Sequence, residues 1–383
     1  VVGGFDRTNL TYHVVATRRE ADKDRAAITA IETHDGPSIV YAPTRKAVER
    51  ITKVLVRARL SAVGYHAGLE ESHRRRAQDA FMHGTARVIV ATSAFGMGID
   101  KPDVRLVVHH AMPGTLESYY QEAGRAGRDG KPSVCVLLHN YADRFTHEYF
   151  IDGAHPDRTA VERVWRTLRA QVTPDGLAPV DLERLTTQLA RQVDARHVGA
   201  AVRTLARAGR LTVEAPSPER VFVTLRATPA RIAAELDGER AFDREVLRAL
   251  WRAVGPQLQD GAFVNLDGLP PGLGGGAQLR PVLERLQAEQ FVTIERAGGG
   301  YRLEAQAIVD NHLGIDWEQL TQRRAVDIAR LDAMQGYAQT RGCRRAFVLR
   351  YFGDPAARVA CGACDRCLGT AKDPSVRRRR ERA

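Results

Sequence analysis

At 383 residues the chain is long enough for two to four domains, each with its own core. Its 44% hydrophobic residues form no apolar run near the roughly 18–20 needed to cross a bilayer, so neither a membrane-spanning helix nor a membrane partner is expected. The net charge of +11, carried mostly by arginine, points toward a polyanionic partner, because a planar guanidinium fork suits phosphate; a GC-rich genome would produce the same bias. Val1 to Asp6 show no basic stretch followed by an apolar one, so no signal peptide is expected and the default location is cytoplasmic.

Residues 1–155 alternate short apolar runs with helical patterns. Residues 38–41 make a buried-strand run, 47–59 have helical periodicity, 63–66 form a second short strand and 70–83 a helix. Residues 87–92 and 104–109 are strand-like, 116–126 helical, and 133–138 a last strand. Such alternation predicts an α/β lobe with a parallel sheet covered by helices on both faces. Ligands on such sheets bind beyond the carboxyl ends of the strands.

The pattern changes after residue 155. Helices are expected over 159–170, from about 181, and over 195–208, followed by two alternating strands, 210–214 and 220–225, around Ala215-Pro216-Ser217-Pro218. Three helices and a hairpin over residues 156–230 describe a winged helix. Residues 240–305 repeat the outline, with helices over 243–254 and 278–290 and a second hairpin around Gly298-Gly299-Gly300. Residues 315–370 hold a helical pair leading into a group of cysteines, and 371–383 form a basic tail.

The most informative stretch is Gln121-Glu122-Ala123-Gly124-Arg125-Ala126-Gly127-Arg128-Asp129-Gly130. Two arginines three apart, on adjacent turns of a helix end and separated by small residues, suit the charge that develops on a transferring phosphoryl group. A glycine-punctuated turn with surface arginines is the plainer reading. Upstream, the strand ending Ala91-Thr92 runs into the small-residue loop Ser93 to Asp100, which presents backbone amides and a carboxylate. His66-Ala67-Gly68-Leu69 and Tyr41-Ala42-Pro43-Thr44 each follow a strand and precede a helix whose amino end suits phosphate.

In this order and spacing these stretches resemble the second RecA-like lobe of superfamily-two helicases, specifically the RecQ family. The opening Phe5-Asp6-Arg7-Thr8-Asn9-Leu10 also resembles the segment by which that family begins this lobe. The resemblance covers residues 4–145. It implies that Arg125 and Arg128 reach the ATP γ-phosphate, Arg128 as arginine finger, that Gln121 positions that site, and that Gly98 and Asp100 line the nucleotide. It implies that Thr44, His66, Gly68, Ala91 and Thr92 hold the backbone of single-stranded DNA. The family often has Asn where Asp100 stands. No G-x-x-x-x-G-K-[ST] loop and no DExH-type tetrad for Mg²⁺ occur in the sequence. The family carries both in a first lobe, so this lobe is expected as a partner within a longer parent chain, and the 383 residues alone are expected not to hydrolyse ATP.

Cys343, Cys361, Cys364 and Cys367 have the spacing of a closed tetrahedral zinc site, with redox and iron–sulfur chemistry as alternatives. Cys343-Arg344-Arg345, Tyr351-Phe352-Gly353 and the run from Cys361 to Cys367 resemble the RecQ zinc-binding subdomain, which favours structural zinc. Cys135, in an apolar strand, is expected to be a buried thiol. The order departs from the family, in which the zinc module usually follows the lobe directly and a winged helix comes after it. Here two winged-helix-like units intervene. Arg196, Arg203 and Arg207 give the third helix of the first unit a basic side suited to DNA phosphate, and Arg345 beside the cysteines is a further DNA candidate.

The expectation is therefore an α/β chain: a RecA-like parallel lobe, two winged-helix-like domains and a small Cys₄ helical subdomain. Its parent would be a monomeric, bacterial, nucleoid-associated ATP-dependent DNA helicase. It would translocate 3′ to 5′ on single-stranded DNA, act on branched or junction DNA in repair or recombination, and use ATP, Mg²⁺ and zinc. A DNA-binding scaffold with tandem winged helices is the alternative, but it has no use for Arg125 and Arg128 beside a glycine-rich loop. A related translocase or an RNA helicase is a third reading, and the cysteines argue against the RNA enzyme.

Overall fold

The computed structural model describes residues 5–95, 100–173, 176–216, 219–296, 299–310, 313–357 and 360–370. Two compact units divide the chain: residues 1–152 with 322–383, and residues 153–321.

The first unit begins β1 (Leu10–Ala16), α1 (Glu20–Thr33), β2 (Ser38–Tyr41), α2 (Arg45–Arg57), β3 (Ala62–Tyr65), α3 (Glu71–Met82) and β4 (Val88–Ala91). It continues through β5 (Leu106–His109), α4 (Leu116–Ala123), β6 (Ser133–His139) and α5 (Ala142–Ala154). The six strands form one sheet in the order β1-β6-β5-β2-β4-β3, and every pairing is parallel. Strands β2, β4 and β5 are buried along their whole length, as continuous apolar runs covered on both faces should be. Helix α2 turns Val48, Ile51 and Leu55 inward at helical spacing. Tyr41 is in register with Ala91 and His109, and Ala91 with Tyr65. The loops after β2, β3, β4 and β5 therefore leave the sheet side by side.

The second unit runs α6 (Arg158–Arg169), β7 (Leu177–Ala178), α7 (Leu182–Leu189), α8 (Ala195–Arg207), β8 (Leu211–Glu214), β9 (Arg220–Leu225) and α9 (Pro229–Glu235). Then come α10 (Ala241–Val254), α11 (Gln257–Asp260), β10 (Ala262–Asn265), α12 (Gly276–Ala288), β11 (Val292–Arg296), β12 (Gly300–Leu303) and α13 (Ala305–Asp310). The hairpins expected from the sequence are not the pairs that form. Strand β8 pairs with β12, which also pairs with β7, while β9 lies between β10 and β11. The cores follow the same division. Tyr301 and Leu303 of β12 pack with Trp165, Leu185, Val198 and Leu205, whereas Val221 and Val223 of β9 pack with Leu247, Leu283 and Phe291. The stretch from β9 to β11 is thus a module nested between β8 and β12. The glycines read as a wing tip serve close approach instead: a Cβ at Gly300 would stand 2.6 Å from the Ala178 carbonyl, and one at Gly299 would collide with the Glu214 carbonyl. Ser217, Pro218 and Gly298 of the expected tips, and the basic tail, lie outside the described residues.

The chain rejoins the first unit within α14 (Trp317–Gln339) and continues to α15 (Arg344–Tyr351). Leu331, Met334, Tyr337, Ala346 and Val348 share one core with Leu10, Tyr12, Tyr119 and Cys135 of the sheet and α4. The Tyr337 hydroxyl donates to that of Tyr119 at 2.9 Å. The zinc-binding stretch expected as a subdomain of its own is therefore built onto the lobe. Among the described residues no helix is long and apolar enough to cross a membrane.

Candidate functional site

Helix α4 is capped by Thr115, whose hydroxyl accepts from the Ser118 amide at 3.1 Å, and it ends at Ala123, short of the expected Ala126. Gly124 follows as the C-cap and Gly127 takes φ +55°, a conformation that excludes helix for a side chain with a Cβ. Arg125 and Arg128 therefore sit on the glycine turn beyond the helix and not on adjacent helical turns. The Gly127 amide donates to the Val104 carbonyl at 2.8 Å, which ties the turn to the start of β5. Arg128 donates from Nη1 to the Asp100 carboxylate at 2.8 Å. Arg125 is half-buried and lies against the buried Tyr41 hydroxyl. Burial pushes that hydroxyl well above its ordinary pKa, while the Arg125 charge works in the opposite direction. Gln121 is exposed on the last turn of α4. Behind the turn, Glu122 meets the fully buried His109 ring at 2.9 Å. Gly98 falls outside the described residues.

The expected DNA loops divide. Thr44 is exposed and caps α2, accepting from the Ala47 amide at 3.1 Å. Gly68 is exposed, and a Cβ there would stand 2.8 Å from the Arg45 guanidinium, so the backbone lies directly under that side chain. Thr92 is half-buried at the end of β4. His66 is only 4% exposed, and its Nδ1 accepts from the Gly68 amide at 3.2 Å, so the ring shapes this loop from within. Ala91 is fully buried in β4 between β2 and β3, with its carbonyl taken by the Ala42 amide at 2.8 Å. Neither its side chain nor its carbonyl is open to DNA, a correction that follows from its central-strand position.

On α8, Arg203 and Arg207 are exposed one turn apart, and Arg196 lies on the same face two turns earlier. Arg196 also forks onto Asp194, at 3.0 and 2.7 Å, and that contact holds the Asp194 carboxyl well below the usual carboxylate range. Arg345, expected on DNA, is instead 11% exposed and donates to the Thr8 and Leu10 carbonyls at 3.1 and 2.6 Å. It ties α15 to the start of the lobe because the zinc stretch packs directly on β1.

The sulfurs of Cys343, Cys361, Cys364 and Cys367 all lie within 4.8 Å of one another, with the 343–364 and 361–367 pairs at 3.9 Å. A tetrahedron with zinc–sulfur bonds of about 2.3 Å has edges of about 3.8 Å, so the four thiolates fit one structural zinc with no open position. The sequence reading missed what surrounds them. Arg344 and Asp365 form an ion pair, with side chains 1% and 2% exposed, at 3.0 Å and, through a second pair of atoms, 3.1 Å. Arg344 also donates to the Tyr337 carbonyl, at 2.6 Å. Asp365 accepts from the Val14 amide at 3.1 Å and donates its own amide to the Tyr12 carbonyl at 3.1 Å, closing the open edge of β1. Charged residues inside a tight Cys-x-x-Cys-x-x-Cys turn were the available signal.

Two family models match the chain: "Helicase conserved C-terminal domain" over residues 22–130 and "RecQ zinc-binding" over residues 303–368. ATP-dependent DNA helicase RecQ of Bacillus subtilis is 44% identical over 153 residues, which are 40% of this chain and 25% of that protein. The putative ATP-dependent DNA helicase Q1 of Caenorhabditis elegans is 39% identical over 169 residues, 43% of this chain and 26% of that protein. The RecQ-like DNA helicase blm-1 of the same organism is 44% identical over 147 residues, 37% and 14% of the respective chains. The chain thus spans about a quarter or less of the length of these relatives. Among solved structures, the C-terminal domain of the DEAD-box protein Dbp5 aligns with 38% of this chain and 87% of its own, at 25% identity and a TM-score of 0.33. With a helicase C-terminal domain matched across residues 22–130 and a RecQ zinc-binding module across 303–368, the chain is similar to the C-terminal region of RecQ-family helicases.

Proposed function

We propose that the chain is the second motor lobe and DNA-binding region of an ATP-dependent DNA helicase. The observation that carries this reading is the glycine turn that presents Arg125 and Arg128 beside Asp100, held at the amino ends of β5 and β6 in a wholly parallel sheet. Two guanidinium groups there supply positive charge where a γ-phosphoryl group gains negative charge in transfer, and Gln121 orders the rim. Gly98 and Asp100 line the nucleotide. A partner lobe of the parent chain holds the remaining phosphates and Mg²⁺, since the 383 residues contain no G-x-x-x-x-G-K-[ST] loop.

Thr44, Gly68 and Thr92 form the track for single-stranded DNA, with His66 shaping it from below. Arg203 and Arg207, with Arg196 behind them, contact duplex or junction phosphates. In the second unit, β7-β12-β8 with α6, α7 and α8 has winged-helix order, and the nested module repeats it with β9 in the place of the last strand. Zinc supplies a structural tie at the edge of the lobe. The parent works as a monomer on the bacterial nucleoid, moving 3′ to 5′ in repair or recombination.

In the full-length protein, Arg128→Ala should lower DNA-stimulated ATP turnover by about 10³ or more with nucleotide binding kept, and Arg128→Lys should not restore it. Wild-type turnover in the alanine variant would remove the assignment.

A further inference from the structure

We propose that Arg7, assisted by Asn9, is the positioning residue of the arginine turn, and that the zinc-binding stretch holds the segment carrying Arg7 in place. The inference rests on the assignment of Arg125 and Arg128 to ATP.

A helix end leaves its last carbonyls without partners, and the turn after α4 has such carbonyls on both sides of Arg125. One side chain serves them. Arg7 donates from Nη1 to the Gly124 carbonyl at 3.1 Å and from Nη2 to those of Ala126 and Gly127, both at 2.9 Å. Asn9 adds donations to the Gly127 and Lys131 carbonyls at 2.8 and 3.0 Å. A guanidinium offers five donors in a rigid fork, so a single residue fixes three peptide planes at once. Those planes set where Arg125 points and immediately precede Arg128. A Cβ on Gly127 would collide with the Asn9 amide and stand 2.7 Å from the Lys131 carbonyl and the Ser133 hydroxyl. The turn is thus pressed against this segment with no slack. The contacts of Arg7 with the turn are all with backbone, so it acts on the nucleotide through the turn.

The segment is gripped from its other side by residues next to the cysteines. Arg345 holds the Thr8 and Leu10 carbonyls, and the Asp354 carboxylate accepts from the Phe5 amide at 2.7 Å. The Phe5 ring stacks on Phe352 at 4.8 Å between centroids, and Tyr120 of α4 donates its hydroxyl to the Phe5 carbonyl at 2.7 Å. Asp365, one residue from Cys364, holds Tyr12 and Val14 further along. Residues 5–14 therefore lie between the metal-binding stretch and the arginine turn, bonded to both.

The experiment measures kcat and KM for DNA-stimulated ATP hydrolysis in the full-length protein, with zinc content and thermal midpoint for each variant. Arg7→Ala should lower kcat by about tenfold or more and leave KM for ATP within about threefold, with zinc retained. In an Arg125→Ala/Arg128→Ala background the same change should add less than about twofold, since a residue acting through the two turn arginines has nothing left to position. A purely structural role would move the midpoint and leave that non-additivity absent. A kcat within about twofold of wild type in folded Arg7→Ala, or fully multiplicative losses when Arg7→Ala is added to Arg125→Ala/Arg128→Ala, would overturn the proposal. If Arg7→Ala does not fold, Asn9→Ala carries the test: a lowered kcat at unchanged KM supports the proposal, and a wild-type kcat overturns it. Wild-type turnover in Arg128→Ala alone overturns the finger assignment itself, and needs no Arg7 variant to be seen.

Discussion

Arg128 donates to the Asp100 carboxylate at 2.8 Å, and both side chains are open to solvent, at 38% and 82% exposure. An exposed pair of this kind contributes about 0–1 kcal/mol, so a phosphate arriving at the turn can take over the guanidinium at little cost. Asp100 holds the Arg128 guanidinium over the glycine turn in this structure.

That relationship makes a first prediction. Asp100→Asn removes a negative charge from beside the incoming phosphates and from the Arg128 guanidinium. In the full-length protein KM for ATP should fall a few-fold, and more at low ionic strength, where charge is less screened. Steady-state kinetics at two salt concentrations measure this. An unchanged KM at both would place Asp100 away from the phosphates.

The arginines proposed for DNA should separate by their surroundings. Arg203→Ala and Arg207→Ala remove exposed charges from α8, and each should reduce the salt slope of DNA binding by about one. Arg196→Ala should reduce it by less, because its charge is already met by Asp194. Arg345→Ala should leave the slope unchanged and lower the thermal midpoint, since its guanidinium is spent on the Thr8 and Leu10 carbonyls. Fluorescence anisotropy titrations across a salt series distinguish these outcomes.

The same contrast shows where sequence reasoning reaches and where it stops. The strand runs at 38–41, 87–92 and 104–109 were legible because a strand covered on both faces needs unbroken apolar residues. Helices α1 and α5 were not. Helix α1 buries only Lys23, Ala27 and Ile31, and α5 buries no residue, so neither carries a strong apolar period. In the second unit the alternation located β8, β9, β11 and β12, but alternation states that a strand has a buried face, not which strand lies beside it. Pairing β8 with its neighbour in sequence was the short-range choice. The partner that forms, β12, lies beyond the whole nested module. At the site, the four cysteines were legible as residue types at a spacing. The burial of His66, Ala91 and Arg345 depends on what packs over them, which no local pattern encodes.

The Arg344–Asp365 pair gives a prediction on stability. Both side chains are buried, and each also bonds backbone of the stretch it joins. Removing one partner of a buried pair leaves the other charge uncompensated and costs about 3–5 kcal/mol. Asp365→Ala should lower the unfolding free energy of the lobe by that order and weaken zinc retention, as read by denaturant titration and metal analysis. A loss below about 1 kcal/mol would mean the edge of β1 does not depend on this contact.

The cysteines make the last prediction. Burial pushes the Cys135 thiol up to about 12, so at pH 8 only about one molecule in ten thousand carries the reactive thiolate there. Zinc holds the other four as thiolates but occupies them. An aromatic disulfide reagent at pH 8 should therefore modify none of the five in the zinc-loaded native protein. A strong chelator should release one zinc and expose four thiols, and denaturant should add the fifth. Losing the metal should also loosen α14 and α15 from the sheet, because Cys343 caps α15 and Cys364 sits in the core they share with β1. The thermal midpoint should drop with chelation and return with added zinc. Cys135→Ser should keep one full equivalent of zinc and Cys364→Ser should lose it. Metal lost from Cys135→Ser, or one equivalent retained by Cys364→Ser, would show that the ligand set is not these four sulfurs.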